Sequence, residues 1–180
     1  MRKKIEFRPP LATDGAAVFR LIQACPPLDV NSMYCNLLQS THFSNTSVTA
    51  IDNNNVVGFI SGYIIPDKPT TLFIWQVAVH ETSRGQGLAG SMLKNILDRQ
   101  SCHHVNYIET TITQSNEASW ALFESLARQL DTEIKKSSMF DRNKHFDNQH
   151  ETELLAQLGP FNLSQPMQAN NELIFTKENS

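Results

Sequence analysis

The stretch Trp75-Gln76-Val77-Ala78-Val79-His80-Glu81-Thr82-Ser83-Arg84-Gly85-Gln86-Gly87-Leu88-Ala89-Gly90 holds the residue types and spacing best suited to chemistry. A β-rich run ends, a short polar loop follows, and glycines open a helix. Glycines let the backbone approach a ligand closely, and the first N–H groups of a helix have no partner inside it. With the positive end of the helix dipole, those donors make an anion site suited to phosphate or pyrophosphate. A P-loop reading fails, because Ser91 stands where its lysine is required. Gly85, Gly87 and Gly90 satisfy the dinucleotide fingerprint, with Glu109 near the spacing of a ribose-binding acid. Against that reading, the loop His80–Arg84 separates strand from glycines, where the dinucleotide fold needs a tight turn. The plainer alternative is a glycine-softened helix start with no ligand.

Other polar clusters carry less. Cys25, Cys35 and Cys102 are odd in number and widely spaced, so neither a disulfide framework nor a four-cysteine zinc site is expected. Cys102-His103-His104 reads as a polar turn between helix and strand, because no second ligand pair stands at zinc spacing. His145 and His150 are read the same way, and no metal is expected. Free thiols point to a reduced, cytoplasmic setting.

These residues need elements to hold them. The chain has 180 residues and a net charge of −3, which fits one domain and lacks the basic balance of a nucleic-acid binder. No apolar run approaches the ~20 residues of a membrane span. The N-terminus is basic, but no apolar stretch follows it, so no secretory signal is expected. Ile5–Arg8 predicts a first strand. Thr13 or Asp14 would cap a helix burying Val18, Leu21 and Ile22, and Asp29 a second carrying Met33, Leu37 and Leu38. Ser47–Ile51 and Val56–Ile65 form a hairpin around Asn53 and Asn54, and Thr71–Val79 is the next strand. A helix over Gly87–Arg99, a strand over Val105–Thr113 and a helix from Ser115 or Asn116 follow. Thr132–Ser138 reads as a strand, Met139–His150 as a long loop, Leu154–Leu158 as a short helix, and Leu173–Thr176 as a last strand. This order predicts an α+β fold, with a mixed, mostly antiparallel central sheet flanked by helices. A single domain over 1–180 is expected, with 139–180 a variable C-terminal extension.

Arg84-Gly85-Gln86-Gly87-Leu88-Ala89 matches the acetyl-coenzyme A loop of the GNAT N-acetyltransferases, and the element order resembles theirs. Asn116, Ser119 and Leu122-Phe123 resemble the family's next motif. The resemblance implies acetyl-CoA as cosubstrate. Backbone amides of Arg84, Gly85, Gln86, Gly87, Leu88 and Ala89 would hold the pyrophosphate. The strand edge at Val77, Ala78 and Val79 would pair with the pantetheine arm, an N–H near Val79 would polarise the thioester carbonyl, and Asn116 would help hold the cofactor. Many family members carry a tyrosine where Phe123 stands, so the usual acid is missing.

Leu28–Tyr34, Trp75–Val79, Ile108–Thr113 and the segment from His150 to Pro160 look like parts of the diaminobutyrate acetyltransferases of ectoine synthesis. That narrower resemblance implies acetyl transfer to the γ-amine of L-2,4-diaminobutyrate, by direct attack in a ternary complex. Another small diamine, such as ornithine or lysine, is the nearest alternative. A non-catalytic sensor of acyl-CoA or a dinucleotide is an alternative of a different class. Asp29 and Glu109 are the candidate carboxylates for the substrate's cations, and Glu109 the candidate base. Trp75 would wall the substrate stem, with Gln76 pointing to the opposite strand face. Asn31 and Thr111 would meet the substrate carboxylate, and Tyr34 would replace the missing acid. Each has a plainer role: a helix cap for Asp29, core packing for Trp75, a surface position for the others. The expected partner is a small amino acid, with neither nucleic acid nor membrane, and a homodimer is expected.

Overall fold

The computed structural model describes residues 5–163. The expected last strand, Leu173–Thr176, lies outside them. The elements run β1 (Glu6–Arg8), α1 (Gly15–Gln23), α2 (Met33–His42), β2 (Val48–Asp52), β3 (Asn55–Ile65), β4 (Lys68–Val79), α3 (Leu88–Leu97), β5 (Tyr107–Thr113), α4 (Glu117–Gln129), β6 (Ile134–Phe140), α5 (Arg142–His145) and β7 (Glu153–Leu158). The strands form one sheet in the order β1-β2-β3-β4-β5-β7-β6. Every neighbouring pair is antiparallel except β4 and β5. The mixed, mostly antiparallel sheet expected from the sequence is therefore the one observed.

The core follows from the strand pattern. Val48, Ile60, Leu72, Ile74, Ile108 and Ile112 are buried with Met92, Leu93 and Ile96 of α3 and Phe123 and Leu126 of α4. A smaller cluster on α1 joins Val18, Leu21, Ile22 and Cys25 to Phe59 and Ala78.

Four local expectations are corrected. Asp14 does not cap α1; its carboxylate takes Arg8 at 2.6 Å and the Leu11 N–H at 2.7 Å instead. Ser32, not Asp29, caps α2, its Oγ accepting from the Cys35 N–H at 3.1 Å. The buried face of α2 is Asn36, Gln39 and Ser40, while Met33 stays exposed. Leu154–Leu158 is strand rather than helix: β7 is inserted between β5 and β6, which buries Ala156 and Leu158. Within the expected C-terminal extension, Met139 and Phe140 close β6, and Arg142–His145 forms the short α5 in what was read as a loop.

Two features position the site. Ser61 pairs with Gln76 but Gly62 pairs with Ile74, so Trp75 is an extra residue in a bulge. A Cβ on Gly62 would stand 2.8 Å from the Phe73 carbonyl oxygen, so only glycine fits at this turn of the strand. The parallel ladder between β4 and β5 covers only Thr71–Phe73 and Tyr107–Glu109. Beyond it the two strands part.

Candidate active site

The parted strands leave the β5-facing edge of β4 open. The His80 N–H donates to Val57 on β3 at 2.9 Å. Backbone groups alternate along a strand, so Val79 and Val77 point theirs to the open edge and Ala78 to β3. The Val79 carbonyl accepts from Arg84 Nε at 3.0 Å and from the Cys25 thiol at 3.3 Å. Of the three expected pairing residues, Val77 and Val79 thus have the required direction, whereas Ala78 contributes packing.

Just past this edge lies the glycine loop. Gly85 (φ 71°) and Gly87 (φ 70°) are left-handed, and a Cβ on either would meet nothing within 4 Å. Gly87 precedes α3 with no side-chain cap, so the first amides of the helix keep their donors free. A cavity of about 180 Å³ lies over this turn, lined by Val79, Arg84, Gly85, Gly87, Leu88 and Ala89 among others. Gln86 is not among its lining residues and turns its Nε2 to the Thr82 carbonyl at 3.1 Å. Open space, glycine backbone and free amides fit a pyrophosphate. Asn116 caps α4, its Oδ1 accepting from the Ser119 N–H at 3.0 Å, and it lines the neighbouring cavity.

That second cavity, of about 410 Å³, opens between the α1–α2 segment, β4, β5 and the start of β7. Asp29, Asn31, Trp75 and Thr111 line it, as the sequence suggested. Gln76 lines it too, because the bulge breaks the alternation that would have turned it away from Trp75. Two expected residues are absent. Glu109 is 1% exposed and its carboxylate is taken by Lys68 Nζ at 2.8 Å and Gln157 Nε2 at 2.8 Å. It sits in the ladder where β4 and β5 still touch, below their divergence, so it cannot face the cleft. Tyr34 is 70% exposed on the side of α2 opposite Asn36, and it lines neither cavity.

On the β7 side of the cavity the lining acids are Glu153 and Glu151, with His150 beside them. Glu153 pairs with Thr113 in the ladder and so shares a face with Thr111. Burial pushes the Glu153 carboxyl above the usual range. The Thr111 hydroxyl opposes this, the charges of Asp29 and Glu151 add to it, and His150 opposes it. Ser115 Oγ donates to Glu151 at 3.0 Å and so ties the β7 approach to the start of α4. The sequence reading missed Glu153 because it put Leu154–Leu158 on a helix. Three leucines at mixed spacing suit either element, and only the pairing with β5 and β6 decides between them. No group of three or more His, Cys, Asp or Glu among the described residues could hold a metal.

Residues 16–127 match the model of the acetyltransferase (GNAT) family. This chain belongs to the GNAT acetyltransferases. Similar to this GNAT chain are the L-2,4-diaminobutyric acid acetyltransferases of Methylotuvimicrobium alcaliphilum and Vibrio parahaemolyticus. The first is 60% identical, covering 87% of this chain and 91% of the relative. The second is 50% identical, covering 85% and 84%. Among solved structures, the diaminobutyrate acetyltransferase EctA from Paenibacillus lautus, in complex with its substrate L-2,4-diaminobutyric acid and coenzyme A, superposes with a TM-score of 0.85. It is 38% identical, covering 88% of this chain and 96% of that one. The ribosomal-protein-S18-alanine N-acetyltransferase of Escherichia coli, at 18% identity and a TM-score of 0.65, shares the GNAT fold.

Proposed function

We propose that the protein transfers the acetyl group of acetyl-CoA to the γ-amine of L-2,4-diaminobutyrate, giving the Nγ-acetyl product used in ectoine synthesis. The observation that carries this reading is the cavity beside the glycine loop. Among the described residues, Asp29, Glu151 and Glu153 line it with neither lysine nor arginine, a lining suited to an acceptor with two ammonium groups. Similarity to diaminobutyric acid acetyltransferases over 85% of the chain or more supports the same substrate.

An alkyl ammonium has a pKa near ~10, so almost none is nucleophilic at neutral pH. Glu153 accepts the proton from the γ-ammonium, directly or through water, and frees its lone pair for attack. Asp29 receives the second ammonium from the opposite wall. The substrate carboxylate is left to neutral donors such as Asn31 and Thr111, and Trp75 walls the carbon stem. Acetyl-CoA, when bound, supplies the thioester acyl group and the leaving thiolate. The glycine loop holds its diphosphate, and the Val79 N–H stands where a carbonyl oxygen on the open edge would be polarised. Phe123 offers no proton to the thiolate. A thiol with pKa about 8.5 leaves without a dedicated acid.

The protein works as a cytoplasmic homodimer. Its three free cysteines suit a reducing compartment. Exposed Val30, Met33 and Tyr34, with Met139 and Phe140 at the edge strand β6, supply apolar surface for a second copy.

The test is thiol release from acetyl-CoA with diaminobutyrate, ornithine, lysine or no acceptor, followed by locating the acetyl group. Preference for diaminobutyrate with acetyl on Nγ is expected. Preference for another amine, or no turnover with diaminobutyrate, would refute the reading.

A further inference from the structure

Gln76 is 6% exposed and sits between the bulge residue Trp75 and the open-edge residue Val77. Both ends of its amide are used, in opposite senses. Nε2 donates to the Asp29 carbonyl at 2.9 Å, and Oε1 accepts from Asn31 Nδ2 at 3.2 Å. The segment it holds joins α1 to α2 and has no regular structure over residues 25–32. The Cys25 thiol anchors its start to the Val79 carbonyl at 3.3 Å. Beyond that its own hydrogen bonds stay local: the Leu28 N–H reaches Cys25 at 3.0 Å, and Ser32 turns to the Cys35 N–H. Among the described residues, Gln76 is therefore the polar tie between the Asp29–Asn31 stretch and the sheet.

That tie has a consequence for selectivity, resting on the substrate reading above. Asp29 lines the cavity from the α1–α2 segment, and Thr111 and Glu153 line it from β5 and β7. A diamine bridging the two walls is measured by its chain length. We propose that Gln76 is a specificity-determining positioning residue: by clamping the Asp29 stretch onto β4 it fixes the gap between the two acidic walls, so the site accepts a four-carbon diamino acid and disfavours one a methylene longer. The amide is suited to this, because one acceptor and one donor must be offered at a single reach. Glutamate has the same shape but only acceptors, and would place oxygen against the Asp29 carbonyl. Methionine has the same length and neither group.

The experiment compares wild type, Gln76→Glu and Gln76→Met in two measurements. The first is kcat/KM for diaminobutyrate and for ornithine, with KM for acetyl-CoA. A methylene is discriminated by about 10–200-fold in a fixed pocket, and both variants should lower the diaminobutyrate preference at least about tenfold, towards equal use of the two amines. KM for acetyl-CoA should stay within about twofold, since the glycine loop is untouched. The second measurement is amide hydrogen exchange on ligand-free protein. Exchange over residues 25–32 should rise in both variants, while residues 84–97 keep the wild-type pattern. Gln76→Met buries no charge, so it keeps the test open if Gln76→Glu folds poorly. A parallel loss with both amines at unchanged preference would overturn the proposal, as would unchanged exchange over 25–32. If the wild type does not acetylate diaminobutyrate, the substrate reading fails and the selectivity role fails with it. The exchange experiment uses no substrate and would still report whether Gln76 clamps the segment.

Discussion

Lys68 Nζ stands 2.8 Å from Glu109 Oε1, and this contact across the base of the β4–β5 divergence occupies the Glu109 carboxylate. Lys68 is half exposed while the Glu109 carboxylate is buried. Removing the two partners should therefore have unequal effects. Lys68→Met leaves the buried carboxylate with Gln157 Nε2 but no countercharge, and should cost more than the reverse removal. Glu109→Gln lets Lys68 turn to water and should cost about 1–3 kcal/mol. Denaturant melts of the two variants against wild type measure the order.

The acid limb of activity should report Glu153. Burial, reinforced by Asp29 and Glu151, raises its carboxyl, so the base is lost as pH falls towards that raised value. Glu151→Gln removes one of the raising charges and should move the acid limb of kcat/KM to lower pH. His150→Ala removes a lowering influence and should move it to higher pH. Profiles of kcat/KM against pH for the three proteins check both directions.

The same shift has a stability sign. A carboxyl whose folded pKa lies above its unfolded value favours the fold when protonated, below about the ordinary 4.5, and loses that contribution as pH rises through the folded value. Glu153→Gln is therefore expected to melt higher than wild type near pH 8. The difference should shrink as pH falls below the carboxylate range. Thermal melts across that range test it.

Gly87 combines a left-handed backbone with open space above it. Gly87→Ala should cost about 1–2 kcal/mol of backbone strain while keeping most of the CoA affinity. Gly87→Glu carries the same strain and adds a carboxylate in the phosphate cradle. Calorimetric titration with CoA should show binding weakened at least about a hundredfold relative to Gly87→Ala, in line with about 3 kcal/mol of like-charge cost.

Much of this architecture was legible because its signals are local. The glycine loop and the periodic apolar face of α3 lie within a few residues of one another, and Asn53 and Asn54 announce their turn through positive φ. The failures were long-range. Glu109 looked catalytic as the single acid of its strand, and its partner Lys68 arrives from 41 residues away through the β3–β4 turn. Glu153 was hidden because β7 becomes a strand only by entering between β5 and β6. Asp29 had the right type to cap α2, but Ser32 stands at the position whose side chain reaches the first turn. Tyr34 was placed in the right helix, but the buried side of that helix is its polar Asn36–Gln39–Ser40 face, which no hydrophobic pattern marks.

The proposed reaction turns on which acid takes the proton. The decisive measurement is kcat for Glu153→Gln and Glu109→Gln with saturating diaminobutyrate and acetyl-CoA, below the melting range of both variants. Loss of about 10²–10⁴-fold in Glu153→Gln, with Glu109→Gln within a few fold of wild type, is the predicted result. Full activity in Glu153→Gln together with a dead Glu109→Gln would contradict it.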